Sequence, residues 1–197
     1  MTVRTTAAAI LAGGRARRFG GRDKSRLVID GHAIIVRQLD ILQRVAGEIV
    51  VIAPDAARFA DLGVAVHADR IPGLGAMGVL YTALDVVRAD NVLVVGCDQP
   101  FLSEPLLAEL VRRASGGDGA WVRTDRGVEP LLACYRRTGR DTVKAEIDAR
   151  RLQINALGAV LRMAEIAGPD LARFGSIEDL VMNVNTPDDY ARVQYRR

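Results

Sequence analysis

With 197 residues, 49% of them hydrophobic, the chain can bury a sizeable core, and we expect one domain spanning residues 1–197. The net charge is +3, the arginines are scattered and aromatic residues make up only 5%, which argues against nucleic acid as a partner. The apolar run at residues 7–11 is too short to cross a bilayer and the residues before it lack signal-peptide features, so we expect a cytoplasmic protein without membrane contact.

Short apolar runs bounded by turn residues predict buried strands at six places along the chain. These runs are residues 7–11, 48–53, 64–67, 92–96, 120–122 and 131–135. Stretches with helical period lie between them, as from Ile35 to Val45, where apolar residues recur at steps of four and three. Ser103 and Thr186 each precede residues typical of a first helical turn. Strands alternating with helices predict an α/β fold with a mostly parallel sheet covered on both faces.

A glycine-rich segment follows the first predicted strand, where ligands bind in such folds. Residues 11–24 read LAGGRARRFGGRDK. Glycines let backbone amides approach an anion, and Arg18 and Lys24 supply positive charge for a polyphosphate. The segment is not a Walker A loop, because no Gly-Lys-Ser or Gly-Lys-Thr follows at the required spacing. A tight connection with surface arginines is the structural alternative.

A second loop, residues 73–78, reads GLGAMG and formally matches the dinucleotide-binding fingerprint. That fingerprint places its first glycine at the end of a strand, but residues 69–72 intervene here. We interpret this loop as a flexible, substrate-facing segment. A plain turn and a dehydrogenase are the alternatives, and Asp69 is ambiguous by itself.

Asp98 directly follows the strongly apolar run at residues 92–95. A carboxylate at the tip of a buried strand is costly to keep charged, and a bound Mg²⁺ would explain it, because magnesium takes one or two carboxylates together with substrate phosphates and water. Capping of the next helix is the alternative, although Ser103 is better placed for that role. Asn183 and Asn185 alternate around Val184, so their amides face one side, towards a metal-bound water or substrate unless they only form a turn.

Taken together, these segments resemble a known family. Residues 11–14, then Arg18, Gly20 and the pair Asp23-Lys24, with CDQPFL at residues 97–102 and NVNTP at residues 183–187, are similar to the molybdenum cofactor guanylyltransferase family. The resemblance covers nearly the whole chain. Three separated motifs in this order are specific, whereas the first alone would indicate only the wider nucleotidyltransferase superfamily.

The resemblance implies a three-layer α/β/α Rossmann-like nucleotidyltransferase fold and an Mg²⁺-dependent enzyme. Such an enzyme joins GMP from GTP to the terminal phosphate of molybdopterin and releases pyrophosphate. Transient contacts with proteins that deliver or receive the cofactor are a further expectation. Lys24, Asp98 and Arg18 are the candidate catalytic residues, with in-line attack of a phosphate oxygen on the α-phosphorus. Motif matching assigns GTP binding to Leu11, Ala12, Gly13, Gly14, Lys24, Asp69 and Asp98, and metal binding to Asp98 and Asn185.

Several positions depart from the family's pattern. Phe19 stands where methionine is usual, and Ala76 where proline is common. The strand at residues 48–53 ends in Ile52 and Ala53, where relatives often carry an asparagine that touches the nucleotide. These departures motivate an alternative from another class, a non-catalytic nucleotide-binding module.

Within the enzyme class, the nearest alternative is the cytidylyltransferase of the same pathway, followed by a sugar-phosphate nucleotidyltransferase. The cytidylyltransferase loop typically starts Leu-Ala-Ala-Gly and carries Lys-Gln in place of Asp-Lys. The pairs Gly13-Gly14 and Asp23-Lys24 therefore favour guanine, whereas Gln99 favours cytosine.

Overall fold

The computed structural model describes residues 6–12 and 24–194. Nine strands lie in these ranges, and seven of them form one sheet. The strands are β1 (Thr6–Leu11), β2 (Val28–Ile29), β3 (His32–Ala33), β4 (Glu48–Ile52), β5 (Ala65–His67), β6 (Asn91–Gly96), β7 (Gly119–Thr124), β8 (Gly127–Arg136) and β9 (Met163–Ala167). β2 and β3 pair separately as a short antiparallel ribbon.

The large sheet has the strand order β5-β4-β1-β6-β8-β7-β9. β8 runs antiparallel to β6 and β7, and the other neighbouring strands pair in parallel. At the centre, Ala9 of β1 lies opposite Val50 of β4 and Val94 of β6, and all three are fully buried. The mostly parallel mixed sheet is confirmed, and the carboxyl ends of β1, β4, β5 and β6 meet at one edge.

Helices cover both faces of this sheet. They are α1 (Ile34–Val45), α2 (Gly75–Val86), α3 (Glu104–Ala114), α4 (Arg140–Asp148), α5 (Gly168–Ala172), α6 (Ile177–Leu180) and α7 (Pro187–Gln194). One apolar core packs α1, α3, α5 and α6 on the first face, and another packs α2, α4 and the 3-10 helix Ile154–Ala159 on the second. The predicted three-layer α/β/α architecture is therefore confirmed. No helix within the described ranges has the length and hydropathy needed to span a membrane.

The two predicted helix starts differ in how their side chains are used. At α7, Thr186 Oγ1 accepts from Asp189 N (3.1 Å), while Asp189 Oδ2 accepts from Thr186 N (2.8 Å) and Asn185 N (3.0 Å). This reciprocal capping box fixes the backbone of Asn185. Ser103 does hold the N-cap position of α3, but its hydroxyl donates to Phe174 O (3.2 Å) and caps nothing.

Ion pairs tie α3 to the far edge of the sheet. Glu109 accepts from Arg112 (2.6 Å, two bonds) and from Arg113 (2.8 Å). Arg113 also donates to Asp170 Oδ2 (2.6 Å) in α5 and to Glu165 O (2.8 Å) in β9. The hydrogen bonds from Arg112 and Arg113 lower the pKa of Glu109 to about 2.

Candidate active site

Three segments distant in sequence meet where β1 and β6 end. Cys97 N donates to Leu11 O (3.2 Å), so the residues after β6 continue alongside β1. Val184 N donates to Asp98 O (2.8 Å), which joins the C-terminal segment to the same point. Val184 is fully buried, and Asn185 next to it is exposed. Backbone hydrogen bonds therefore place Asp98 and Asn185 at one edge of the sheet.

Lys24 completes this group. It begins the 3-10 helix Lys24–Arg26, and its Nζ donates to Asn185 Oδ1 at 2.7 Å across 161 positions of sequence. Burial raises the pKa of the Asp98 carboxyl above its ordinary value, and the positive charge of Lys24 partly offsets that rise. The structure thus brings together one residue from each of the three sequence motifs.

Arg26 anchors the short helix that carries Lys24. Its guanidinium donates to both carboxylate oxygens of Asp61 (2.8 and 2.5 Å) and to Arg58 O (2.8 Å), and it lies 5.7 Å from the centroid of the Phe59 ring. The Lys24–Arg26 helix is thereby attached to the 3-10 helix Ala56–Leu62. These contacts fix the position of the short helix that begins at Lys24.

The Asp98 carboxylate lies directly over Gly96. A Cβ on Gly96 would lie 2.8 Å from Asp98 Oδ1, too close for an unstrained contact. Gln99 turns inward and is 2% exposed, and its Oε1 accepts from Gly96 N (3.0 Å). Gln99, which favoured cytosine in the sequence, therefore has a structural role within its own loop, and that role does not require contact with a nucleotide base.

Asp69 lies two residues beyond β5 and is used within its own loop. Its Oδ1 accepts from Ile71 N (3.0 Å) and from Thr82 Oγ1 (2.9 Å) of α2, while a Cβ on Gly78 would lie 3.0 Å from its Oδ2. Both of these bonds lie between Asp69 and residues of its own loop or of α2. The nucleotide-binding role of Asp69 stays a prediction.

The GLGAMG segment does not form the strand–turn–helix of a dinucleotide site. β5 ends at His67 and α2 begins at Gly75, so a connection separates strand and helix. Gly73 and Gly75 adopt positive φ angles of 89° and 60°, which serve the turn into α2. This geometry disfavours the dehydrogenase alternative.

The ends of β1 and β4 are built from apolar residues. Leu11 is 4% exposed, and Ala12 N donates to Ile52 O (2.8 Å). The pairing of β1 with β4 therefore continues to the point where the glycine-rich segment begins. Ile52 and Ala53 are fully buried and apolar, so neither side chain can make the nucleotide contact that we would expect of an asparagine at this position. Gly13, Gly14 and Arg18, with their predicted nucleotide and catalytic roles, lie outside the described residues.

The oxygen donors here fit a hard cation that shares its ligands with a substrate. Among residues 6–12 and 24–194, no group of three or more acidic, histidine or cysteine side chains could hold a metal alone. Magnesium usually takes one or two carboxylates and completes its shell with phosphates and water. The half-buried Asp98 carboxylate suits that role, because a cation would offset the desolvation that raises its pKa. Asn185 Oδ1 already accepts from Lys24 and keeps a second lone pair.

One buried residue that contacts this site was not predicted from the sequence. Gln38 of α1 is fully buried, and its Nε2 donates to Gly96 O (2.7 Å) and Gln99 O (2.8 Å). A signal was present, because Gln38 lies four residues from both Ile34 and Leu42 and so interrupts the apolar stripe of α1.

Comparison with known proteins gives matches over most of the chain. Residues 8–162 match the family model described as the MobA-like NTP transferase domain. A relative from Chloroflexus aggregans, described as a probable molybdenum cofactor guanylyltransferase, is 31% identical over 192 residues, covering 94% of this chain and 91% of the relative.

Solved structures share the same fold. The molybdopterin-guanine dinucleotide biosynthesis protein A from Archaeoglobus fulgidus superposes with a TM-score of 0.81 at 24% identity, covering 95% of this chain and 96% of that one. A Mycobacterium tuberculosis H37Rv protein in complex with manganese gives a TM-score of 0.71 at 19% identity, covering 99% of this chain and 100% of that one. At these identities the likeness establishes a common fold.

Proposed function

Because the chain belongs to the MobA-like NTP transferase family and is a nucleotidyltransferase, we propose that it transfers GMP from GTP to the terminal phosphate of molybdopterin and releases pyrophosphate. The observation that carries this proposal is the meeting of Lys24, Asp98 and Asn185 at the carboxyl edge of the sheet. The description of the Chloroflexus relative supports the choice of guanine nucleotide and cofactor.

Asp98 is the residue we propose as the magnesium ligand, with Asn185 beside it. When bound, the ion supplies positive charge to the phosphate oxygens and makes the α-phosphorus more electrophilic. The manganese complex of the Mycobacterium tuberculosis protein supports a divalent ion in this fold. The half-buried Asp98 carboxylate supports it as well, since the nucleotide would supply further ligands.

Lys24 is the residue we propose as the phosphate ligand. An ammonium group carries three N–H donors, so Lys24 can bind a phosphate oxygen while it holds Asn185 Oδ1. An oxygen of the molybdopterin phosphate forms the new bond to the α-phosphorus, and the bond from that phosphorus to the β-phosphate oxygen breaks. Lys24 then stabilises the charge that develops on the departing pyrophosphate. No covalent bond to the protein is required.

The test is pyrophosphate release with Mg²⁺ and molybdenum-loaded molybdopterin, from GTP and separately from CTP. The variant is Asp98→Asn, and the matched control is Asp188→Asn, which changes an exposed carboxyl in the first turn of α7. We expect GTP-selective release that falls about a hundredfold or more in Asp98→Asn and is unchanged in Asp188→Asn. Preference for CTP would instead support a cytidylyltransferase. GTP binding by a folded protein with no release from either nucleotide would indicate a binding module.

A further inference from the structure

Gln38 makes the Asp98 loop depend on a helix outside the proposed active site. Its Nε2 donates to Gly96 O at 2.7 Å and to Gln99 O at 2.8 Å, the two residues that bracket Cys97 and Asp98. Gln38 is fully buried, and a buried amide costs free energy unless it is hydrogen-bonded. One side chain of α1 therefore joins the two ends of the segment that carries the proposed metal ligand.

The bonding of Gln38 shows that it does more than fill the core. Both partners of Nε2 are carbonyl oxygens, so a reversed amide would aim Oε1 at two acceptors, and its orientation is fixed. In this orientation Oε1 is buried without a hydrogen-bond partner within the described ranges. An unsatisfied buried acceptor destabilises the fold. An apolar side chain of similar size would avoid that cost but would remove the Nε2 donor from Gly96 O and Gln99 O, so the benefit of the glutamine lies in the loop that it bonds. Packing of α1 thus does not explain a glutamine here.

Gln99 completes the arrangement from within the loop. Its Oε1 accepts from Gly96 N (3.0 Å), and its own backbone N donates to Gly96 O (3.2 Å). Gly96 is therefore bonded at its N–H by one glutamine side chain and at its C=O by the other. Since the Asp98 carboxylate lies over Gly96, a backbone fixed at Gly96 limits where Oδ1 can lie on that side.

We propose that Gln38 and Gln99 act as an amide clamp, a pair of positioning residues that aim the Asp98 carboxylate at the metal and the α-phosphate. This inference rests on the proposed function, which gives Asp98 its role. Neither glutamine contacts Asp98 Oδ1 by a hydrogen bond, and both act through the backbone around it. On the opposite side of the loop, Val184 N donates to Asp98 O (2.8 Å). The clamp therefore fixes the backbone of the loop from the side of α1.

The variants that test the clamp are Gln38→Met and Gln99→Met, which keep similar volume and remove the amide. Leu42→Met is the matched control, because Leu42 is fully buried on the same helix and the change conserves volume. Mn²⁺ serves as the probe, and its affinity for the protein bound to a non-hydrolysable GTP analogue is measured by electron paramagnetic resonance. Thermal melting, kcat and the KM for GTP are measured alongside.

We expect each glutamine variant to bind Mn²⁺ roughly tenfold to a hundredfold more weakly and to lose kcat, with little change in the KM for GTP. Leu42→Met should alter only the melting temperature. The double variant should lose less than the product of the single losses, because both residues act on one loop. If either single variant cannot be folded, the other still decides the question.

Glutamine variants that melt at lower temperature but bind Mn²⁺ as tightly as the native protein would overturn the clamp. Asp98→Asn in the same assay separates this outcome from failure of the proposed function. Loss of Mn²⁺ binding in Asp98→Asn with native affinity in both glutamine variants rejects the clamp alone. Native Mn²⁺ affinity in Asp98→Asn rejects the metal role of Asp98 and with it the clamp, whereas the transfer reaction itself is judged by pyrophosphate release.

Discussion

Replacing Gly96 by alanine places a methyl group where the Asp98 carboxylate lies. The new Cβ would be 2.8 Å from Asp98 Oδ1, while its next neighbours, Gln99 Cδ and Cγ, would be at the ordinary distances of 3.7 and 3.8 Å. Contacts of Cβ below 3.4 Å are tight, so Oδ1 has to move by about 0.6 Å. The atom that must move is the end of a side chain, so the backbone of the loop can stay in place.

The expected effect is a loss of catalysis without a comparable loss of stability. Misplacing a reacting group by about 1 Å costs on the order of a hundredfold in rate, so a shift of about 0.6 Å should lower kcat roughly tenfold. That factor corresponds to about 1.4 kcal/mol of activation free energy. The unfolding free energy should fall by about 1 kcal/mol or less, the lower end of the range for overpacking.

Steady-state pyrophosphate release and thermal melting together measure both quantities. Gly139→Ala is the matched control, since Gly139 is also buried but its added Cβ would meet Leu161 Cδ2 at an ordinary 3.5 Å. We expect the control to retain its native kcat. A native turnover rate in Gly96→Ala would show that the Asp98 carboxylate is not displaced as we expect. Lost activity that merely follows a large drop in melting temperature would show the same.

Three further changes test other parts of the account. In Lys24→Met we expect kcat to fall about a hundredfold or more, because the variant loses the cation that we propose binds phosphate and that donates to Asn185, while the unfolding free energy stays within about 0.5 kcal/mol. Thr82→Val removes the hydroxyl that holds Asp69 Oδ1, so we expect a loss of about 1 to 2 kcal/mol in stability and a raised KM for GTP at nearly native kcat. Glu109→Gln should cost about 1 kcal/mol at pH 7 after allowance for solvent screening. Since the folded pKa of Glu109 is lowered to about 2, that contribution is present above the ordinary carboxyl pKa and disappears as the pH falls towards 2.

Each of these changes has a matched control. Lys144→Met removes another ammonium, one paired with Asp148 in α4, and should leave kcat native. Thr82→Ser keeps the hydroxyl and should keep the native KM. Glu104→Gln alters an exposed ion pair of α3 and should cost less stability than Glu109→Gln in urea unfolding at pH 7. Native turnover in Lys24→Met, a native KM in Thr82→Val, or an equal Glu109→Gln loss at pH 7 and pH 2.5 would contradict the respective argument.

The central strands were predictable because both of their faces are buried. β1, β4 and β6 carry continuous apolar runs. In each strand the residues from the middle to the carboxyl end are all apolar or glycine. β9 escaped prediction because it is an edge strand with Glu165 in its middle, paired to Arg123 of β7 at 2.6 and 2.7 Å. The ion pair with Arg123 allows Glu165 to lie in a strand. The sequence around Glu165 does not show that Arg123 is its partner, because the two residues are distant in sequence.

The direction of β8 was not predictable from its apolar run. An apolar run fits a parallel and an antiparallel buried strand equally well, and only the connection distinguishes them. Here β7 ends at Thr124 and β8 begins at Gly127, so the connection is a short hairpin, with Gly127 at a φ of 125°. The turn-forming residues before Gly127 were the available signal.

The sequence predicted only part of the candidate site. Motif matching selected Lys24, Asp98 and Asn185, which the fold brings to one edge. It did not reveal that Asn185 Oδ1 is bonded to Lys24, nor that Gln38 supports Gly96, because side chains more than fifty positions apart are paired only by the fold. Glutamine in an amphipathic helix is ordinarily a solvent-facing residue, which concealed its buried role.

Guanylyl transfer attaches the α-phosphate of GTP to molybdopterin, and labelled GTP shows directly where that phosphate goes. GTP labelled at the α-phosphate and, separately, GTP labelled at the γ-phosphate should be incubated with Mg²⁺, the protein and molybdenum-loaded molybdopterin, and the pterin product separated by chromatography. We predict that the α label enters the pterin product together with guanosine, while the γ label is recovered entirely in pyrophosphate. A pterin product that carries the γ label, or α label recovered only as free GMP, would contradict nucleotidyl transfer by this protein.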